Sequence, residues 1–217
     1  MFLSMKMVNS YFRVKIVTMM KLIQEDQEWW VGIDSQLRVL PNQHLAVCLV
    51  SAELKRAGTL DLFMDDDSRR PKILNSAQYY LRNLGLQLYP QQHPYHIHFM
   101  FSKVPEPLSS LLCAFEQKDH QRIGEALDFP LEARTWFHPT KRNGYMTRRY
   151  LRTLDKDGVT VPSWIPYCQF VVPPHEVLRN GECARIGRRY EQFAFDYDRK
   201  FALAIRDNYH QFLHEVE

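Results

Sequence analysis

Apolar positions alternate with polar ones along two stretches of the first half, TLDLFM (Thr59–Met64) and YHIHFMFSK (Tyr95–Lys103). A period of two is the mark of a strand with one face buried. In the second stretch Ile97, Phe99 and Phe101 share the better core face, and His96, His98 and Met100 take the other. Leu86–Tyr89 reads as a further strand, and so do Glu28–Ile33 and Gln36–Leu40, short and rich in Trp, Val, Ile and Leu. Between strands the apolar period lengthens to that of a helix. Leu45, Cys48, Leu49 and Ala52 form one helical face after a cap at Asn42, with Gly58 as its terminator. SAQYYLRNL follows a cap at Asn75 and is closed by Gly85. Pro105 and Pro107 open a helix with Leu108, Leu111, Leu112 and Phe115 on one side.

The middle of the chain predicts two short helices. Asp119 caps the first, whose apolar face is Ile123, Ala126 and Leu127. Pro130 cannot lie inside that helix but suits the first position of the next, which runs to about Phe137. Val159–Val172 reads as one or two strands interrupted by Pro162 and Pro166, which points to an edge or an irregular crossing. From Gly181 to the end the pattern is helical, through Ile186, Tyr190 and Phe193 to Phe201, Ile205, Tyr209 and Leu213. The predicted class is α+β (or α/β): a small mixed sheet with helices in the first half, and a mostly helical middle and C-terminus. Residues 1–19 read as a mobile tail or an overextended start, because Lys6, Asn9, Arg13 and Lys15 break their apolar runs and Met20 is an equally natural start. Residues 20–217 then form a single α+β domain with a helical C-terminal extension.

Two resemblances rest on the middle segment. IGEALDFPLEARTWF is similar to a DNA-binding helix-turn-helix: Gly124 fits the small residue of the first helix, Asp128 stands where that family has glycine, and Arg134 where it has a buried aliphatic. The same segment resembles the LGYP-type segment of an uncharacterised prokaryotic family, a domain of unknown function, with Asp128-Phe129-Pro130 in place of Gly-Tyr-Pro. PYCQFVVPPHEVLRNGECARIGRRY resembles the Pro-Cys…Cys segment and following helix of that family. This second resemblance implies no activity.

Charge adds a candidate site. The net charge is only +3, so binding of an anionic polymer has to come from local clustering. Such a cluster runs from Ala133 to Leu154, where Arg134, Lys141, Arg142, Arg148, Arg149 and Arg152 occur without one Asp or Glu. Tyr145 and Tyr150 are interleaved, and Asn143-Gly144 signals a turn. Arginine and tyrosine on a loop suit an anionic ligand, phosphate above all. A second basic group, Arg185, Arg188 and Arg189, lies on the polar face of the terminal helix.

Other chemistry is sparse. His96 and His98 share a strand face and are the candidate acid/base pair. Zinc would need further ligands, and Cys168, His175 and Cys183 are spaced more widely than in standard zinc modules, so neither metal nor cofactor is expected. There is no GxGxxG after a strand and no phosphate loop. The four cysteines, Cys48, Cys113, Cys168 and Cys183, lack a paired spacing and read as reduced thiols of a cytoplasmic protein, Cys48 and Cys113 as core residues. No run approaches the roughly 18 apolar residues of a membrane helix, so no membrane partner is expected.

Three functional readings follow. The first is a non-catalytic cytosolic protein that binds an anionic partner, nucleic acid or acidic protein, through Arg134, Lys141, Arg142, Tyr145, Arg148, Arg149 and Arg152. The second is an enzyme acting on a phosphorylated or nucleotide-like small molecule, with the same arginines as clamps. The third is an assembly protein that meets a partner through its C-terminal helix.

Overall fold

The alternation of TLDLF and HIHFMF becomes a three-stranded sheet. Its strands are β1 (Ala57–Phe63), β2 (Gln87–Gln92) and β3 (His96–Ser102), in the order β1-β3-β2. Both pairings are antiparallel, with Leu60 opposite Phe99 and Asp61 opposite His98. The structure, a computed structural model, describes residues 41–63, 68, 70–137 and 143–214. The expected tail at 1–19 and the strands at 28–33 and 36–40 lie outside the described residues. Helices far outnumber strands, and the class is α+β.

Helix α1 (Pro41–Ser51) is the centre of the packing. Leu45, Ala46, Val47, Cys48, Leu49 and Val50 are all buried, because a helix apolar all round has to be covered all round. Its Ala46, Val47 and Val50 pack on one sheet face, against Leu60, Leu62, Ile97, Phe99 and Phe101. Helix α2 (Arg70–Asn83) adds Ile73, Ala77, Tyr80 and Leu81 to that layer. The other side of α1 meets Tyr190, Phe193 and Tyr197 of α8 (Glu182–Tyr197) and Ala202 and Ile205 of α9 (Arg199–His214). On the second sheet face, α3 (Pro105–Glu116) and α4 (His120–Ala126) cover Ala57 and Met100 with Leu108, Leu111 and Ala126. Each fully buried Leu or Phe contributes about 1.5–3 kcal/mol of transfer free energy, which is what fixes the strand register.

Five chain reversals share one solution. At Glu53, Lys118 and Asp128, and at Gly85 and Gly158, φ is positive, between 53° and 73°. At each, two N–H groups reach back to the preceding helix's last carbonyls; at Asp128 these are Asp128 N–H to Glu125 O and Phe129 N–H to Gly124 O. Gly85 closes its helix as the pattern predicts. Gly58 does not: the reversal after α1 falls at Glu53, and Gly58 lies in β1 opposite Phe101, where a Cβ would come within 2.7 Å of the ring. Asn75 is likewise no cap but an interior residue of α2.

Asp119 caps α4 as expected, accepting from Gln121 N–H and Arg122 N–H. Pro130 is the residue before α5 (Leu131–Trp136) rather than its first. Three further expectations need correction. The described parts of the basic stretch are helical, not a loop: Arg134 lies in α5, and Asn143–Lys156 is helix α6, with Thr147, Leu151 and Leu154 buried along one side. Residues 159–172 form no strand, because Pro162, Pro166 and Pro173 leave too few N–H groups for a ladder. They run as irregular chain with one 3₁₀ turn (Ile165–Tyr167), leading into the short α7 (Pro174–Val177). The terminal helix is two helices: Asp198 breaks it, with an extended φ of −158° and a side chain that accepts from Phe201 N–H.

Candidate functional site

Helix α6 faces inward with Thr147, Arg148 and Leu151, which fall at i, i+1 and i+4. The Thr147 hydroxyl, buried, donates to Val172 O at 2.9 Å and ties the helix to the irregular segment. Between α6, that segment and the α4–α5 corner lies a cavity of about 750 Å³. Its apolar wall comes from Phe115, Ile123, Phe129, Leu151, Ile165 and Phe170 among others. Its polar groups include Lys118, His120, Arg134, Arg148, Gln169 and Tyr209. Among the described residues no Asp or Glu lines it.

Arg134 is held in this wall by packing. Its stem crosses Gly124, where a Cβ would stand 2.8 Å from Arg134 Cγ, so only glycine leaves the room. Arg134 Nη1 pairs with Glu125 at 3.4 Å, on the rim, while its Nε is buried with no partner. The Gln169 amide nitrogen is also buried and partnerless. A buried polar group left so costs about 1–3 kcal/mol. Burial pushes the thiol of Cys168, beside them, well above the usual range, and nearby Cys183 and Glu191 add to this, which disfavours the reactive thiolate. Burial also raises Tyr209.

The expected basic site is therefore divided. Arg134 and Arg148 reach the cavity. Arg149 is exposed on α6, and Arg152 donates through Nε to the Leu213 carbonyl, joining α6 to the end of α9. Lys141 and Arg142, and the side chain of Tyr145, lie outside the described residues. On the far side of Arg134 and Phe129 is a polar concavity of about 460 Å³, where Arg56, Arg185 and Arg189 meet Glu53, Glu125, Asp128 and Glu182. Asp128 accepts there from Arg56 N–H at 2.6 Å and Arg56 Nε at 2.5 Å, and Arg185 pairs with Glu182 at 3.1 Å. Its charges largely satisfy one another.

His96 and His98 do not line the cavity. They lie on the second face of the sheet with Asp61, whose Oδ1 is 2.6 Å from His98 Nδ1 and 3.8 Å from His96 Nε2. Burial pushes the Asp61 carboxyl up, but the His98 hydrogen bond and the neighbouring His98, His96 and His93 imidazoles outweigh it and hold the group below its ordinary value. A carboxylate only accepts, so His98 Nδ1 carries the hydrogen. His98 Nε2 is buried without a partner, and its ring tilts on Phe115 at 5.6 Å. Phe115 thus separates the histidines from the cavity it helps to line.

No family model, curated protein or solved structure matches the chain. Among the described residues no three His, Cys, Asp or Glu side chains converge as metal ligands. All four cysteines are free, and Cys113 is exposed rather than in the core, accepting from Gln117 at 3.3 Å. No helix among the described residues is long and apolar enough to cross a membrane. Lys118, His120, Gln169 and Tyr209 carry no local signal of a site, since only tertiary packing brings them together. Thr147, Arg148 and Leu151 stand at helical spacing in the sequence, and that spacing is the signal of their shared face.

Proposed function

We propose that the protein binds a small anion with an apolar body in the cavity beside α6, and holds it without reacting it. The observation that carries this is the charge of the wall: Lys118, Arg134 and Arg148 line an otherwise largely apolar cavity that no acid among the described residues enters. Cavities of this size, mostly apolar with a few placed polar groups, suit small ligands. A guanidinium in a low-dielectric wall also attracts an anion more strongly than one in water.

Two features favour binding over chemistry. The Cys168 thiol is held protonated, and the Asp61–His98 pair stands behind Phe115. A small anion is also better supported than a nucleic acid. Helix α5 presents Leu131 and Thr135 to solvent, while its arginine lies in the cavity wall. The apolar face of α9 is already occupied by α8 and α1, so partner assembly through it has no support here.

The test is a fluorescence titration with 1-anilinonaphthalene-8-sulfonate, an aromatic anion that brightens on leaving water. One saturable equivalent is expected. Arg134→Met and Arg148→Met should each weaken it about tenfold, or ~1.4 kcal/mol, with the circular dichroism unchanged. Absence of saturable binding, or titrations of both variants that overlay the parent, would contradict the reading.

A further inference from the structure

Arg134 Nε–H and the Gln169 amide nitrogen are buried donors of the cavity wall that find no acceptor among the described residues. Both call for an acceptor, and two of their polar neighbours are already engaged. Thr147 donates to Val172 O, and Cys168 Sγ contacts Trp164 O at 3.8 Å. The wall's charge is positive, but Arg134 is already partly balanced at the rim by Glu125. The two buried donors on Arg134 and Gln169 match a head group with two acceptor oxygens and a negative charge. A phosphate monoester carries a third oxygen and up to a second charge, and removing that second charge from water into a largely apolar cavity is costly. Around the donors the surface is hydrocarbon: Phe115, Phe129 and Phe170, with Ile123, Leu151 and Ile165. The Phe129 and Phe170 rings lie 5.8 Å apart and tilted, a continuous apolar wall.

Building on the anion-binding reading above, we infer that the ligand is a monocarboxylate on a hydrocarbon body, its head accepting from Arg134 and Gln169. The carboxylate oxygens take the hydrogen bonds that the chain leaves unmade, and the hydrocarbon replaces water against the phenylalanines. Arg134 sets the charge. Gln169 sets the preference for a flat two-oxygen head.

Three probes of one chain length separate the possibilities: dodecanoate, dodecyl phosphate and dodecanol, each below its aggregation limit. Each is titrated against protein loaded with 1-anilinonaphthalene-8-sulfonate and, independently, by calorimetry. Dodecanoate is expected to bind at least tenfold more tightly than either of the others. Gln169→Leu should remove most of that margin, and Gln169→Glu, nearly the same in shape, should abolish dodecanoate binding by setting a second carboxylate against the first. Circular dichroism and retained fluorophore binding by Gln169→Leu show that the cavity is intact. If dodecyl phosphate binds as well as dodecanoate, the carboxylate inference fails while the anion-binding reading stands. If dodecanol binds as well as both, charge plays no part and the two fail together. Dodecanoate binding unchanged in Gln169→Glu overturns the assignment of the head group to this end of the cavity.

Discussion

Gly187→Ala is expected to lower the melting temperature by roughly 4–12 °C, from a loss of about 2–3 kcal/mol. Gly187 lies in the first half of α8, where a Cβ would clash with Trp164 Cε3 and stand 3.1 Å from Cys168 Sγ. Both neighbours are confined. Trp164 is 3% exposed and belongs to the cluster that joins α6, the irregular segment and α8. There is no flexible chain end to move aside, so the backbone of 164–168 has to shift. That segment continues directly into Ile165, Cys168, Gln169 and Phe170 of the cavity wall. The variant should therefore weaken fluorophore binding as well as stability, and shift the tryptophan emission. A melting temperature within 2 °C or so of the parent would show that the segment gives way easily.

Lys55→Met is expected to raise stability near neutral pH by on the order of 1–3 kcal/mol. Lys55 is only 5% exposed. Its ammonium has one hydrogen bond, to Ala57 O at 3.3 Å, and the ring of Phe129 at 5.2 Å. Burial pulls it down to about 8 from 10.5, although the charge of Asp128 works the other way. Each pK unit is about 1.4 kcal/mol, so a shift of this size implies a penalty of a few kcal/mol, which the lost hydrogen bond in the variant partly offsets. The folded value lies below the unfolded one, so the folded state holds fewer protons in between. The penalty is full below about 8 and fades as pH rises towards 10.5. The stability gap between Lys55→Met and the parent should therefore be widest at pH 7 and narrow steadily above pH 8. Groups common to both proteins, such as the raised tyrosines and thiols, cancel in that difference. A variant less stable than the parent at pH 7 would show that the ammonium is well served where it sits.

The strands were legible because burial and alternation coincide: Ile97, Phe99 and Phe101 are at 0% exposure on the predicted face. Helix ends were legible where a residue type acts alone, as at Asp119 and Gly85. They were hidden where tertiary contacts select the residue. Asp128 takes a glycine-like φ of 56°, and its carboxylate grips Arg56, 72 residues earlier in the chain. Val159–Val172 has a strand's composition, but its buried side chains face helices from several directions, not a neighbouring strand. Of the candidate site, the arginines were visible as charge and the histidines as a pair. That Arg134 and Arg148 share a cavity, that Arg152 instead secures the end of α9, and that the histidines face elsewhere are consequences of packing between segments far apart in sequence.

The most direct test of the account is to locate the ligand. In a methyl NMR titration with 1-anilinonaphthalene-8-sulfonate, the shifts should concentrate on Ile123, Leu151, Ile165 and Val172, which line the cavity. The sheet core, Val47, Leu60 and Ile97, should stay still. Shifts centred on exposed Val159 or Leu178, or spread evenly over the chain, would contradict a ligand held in the cavity beside α6.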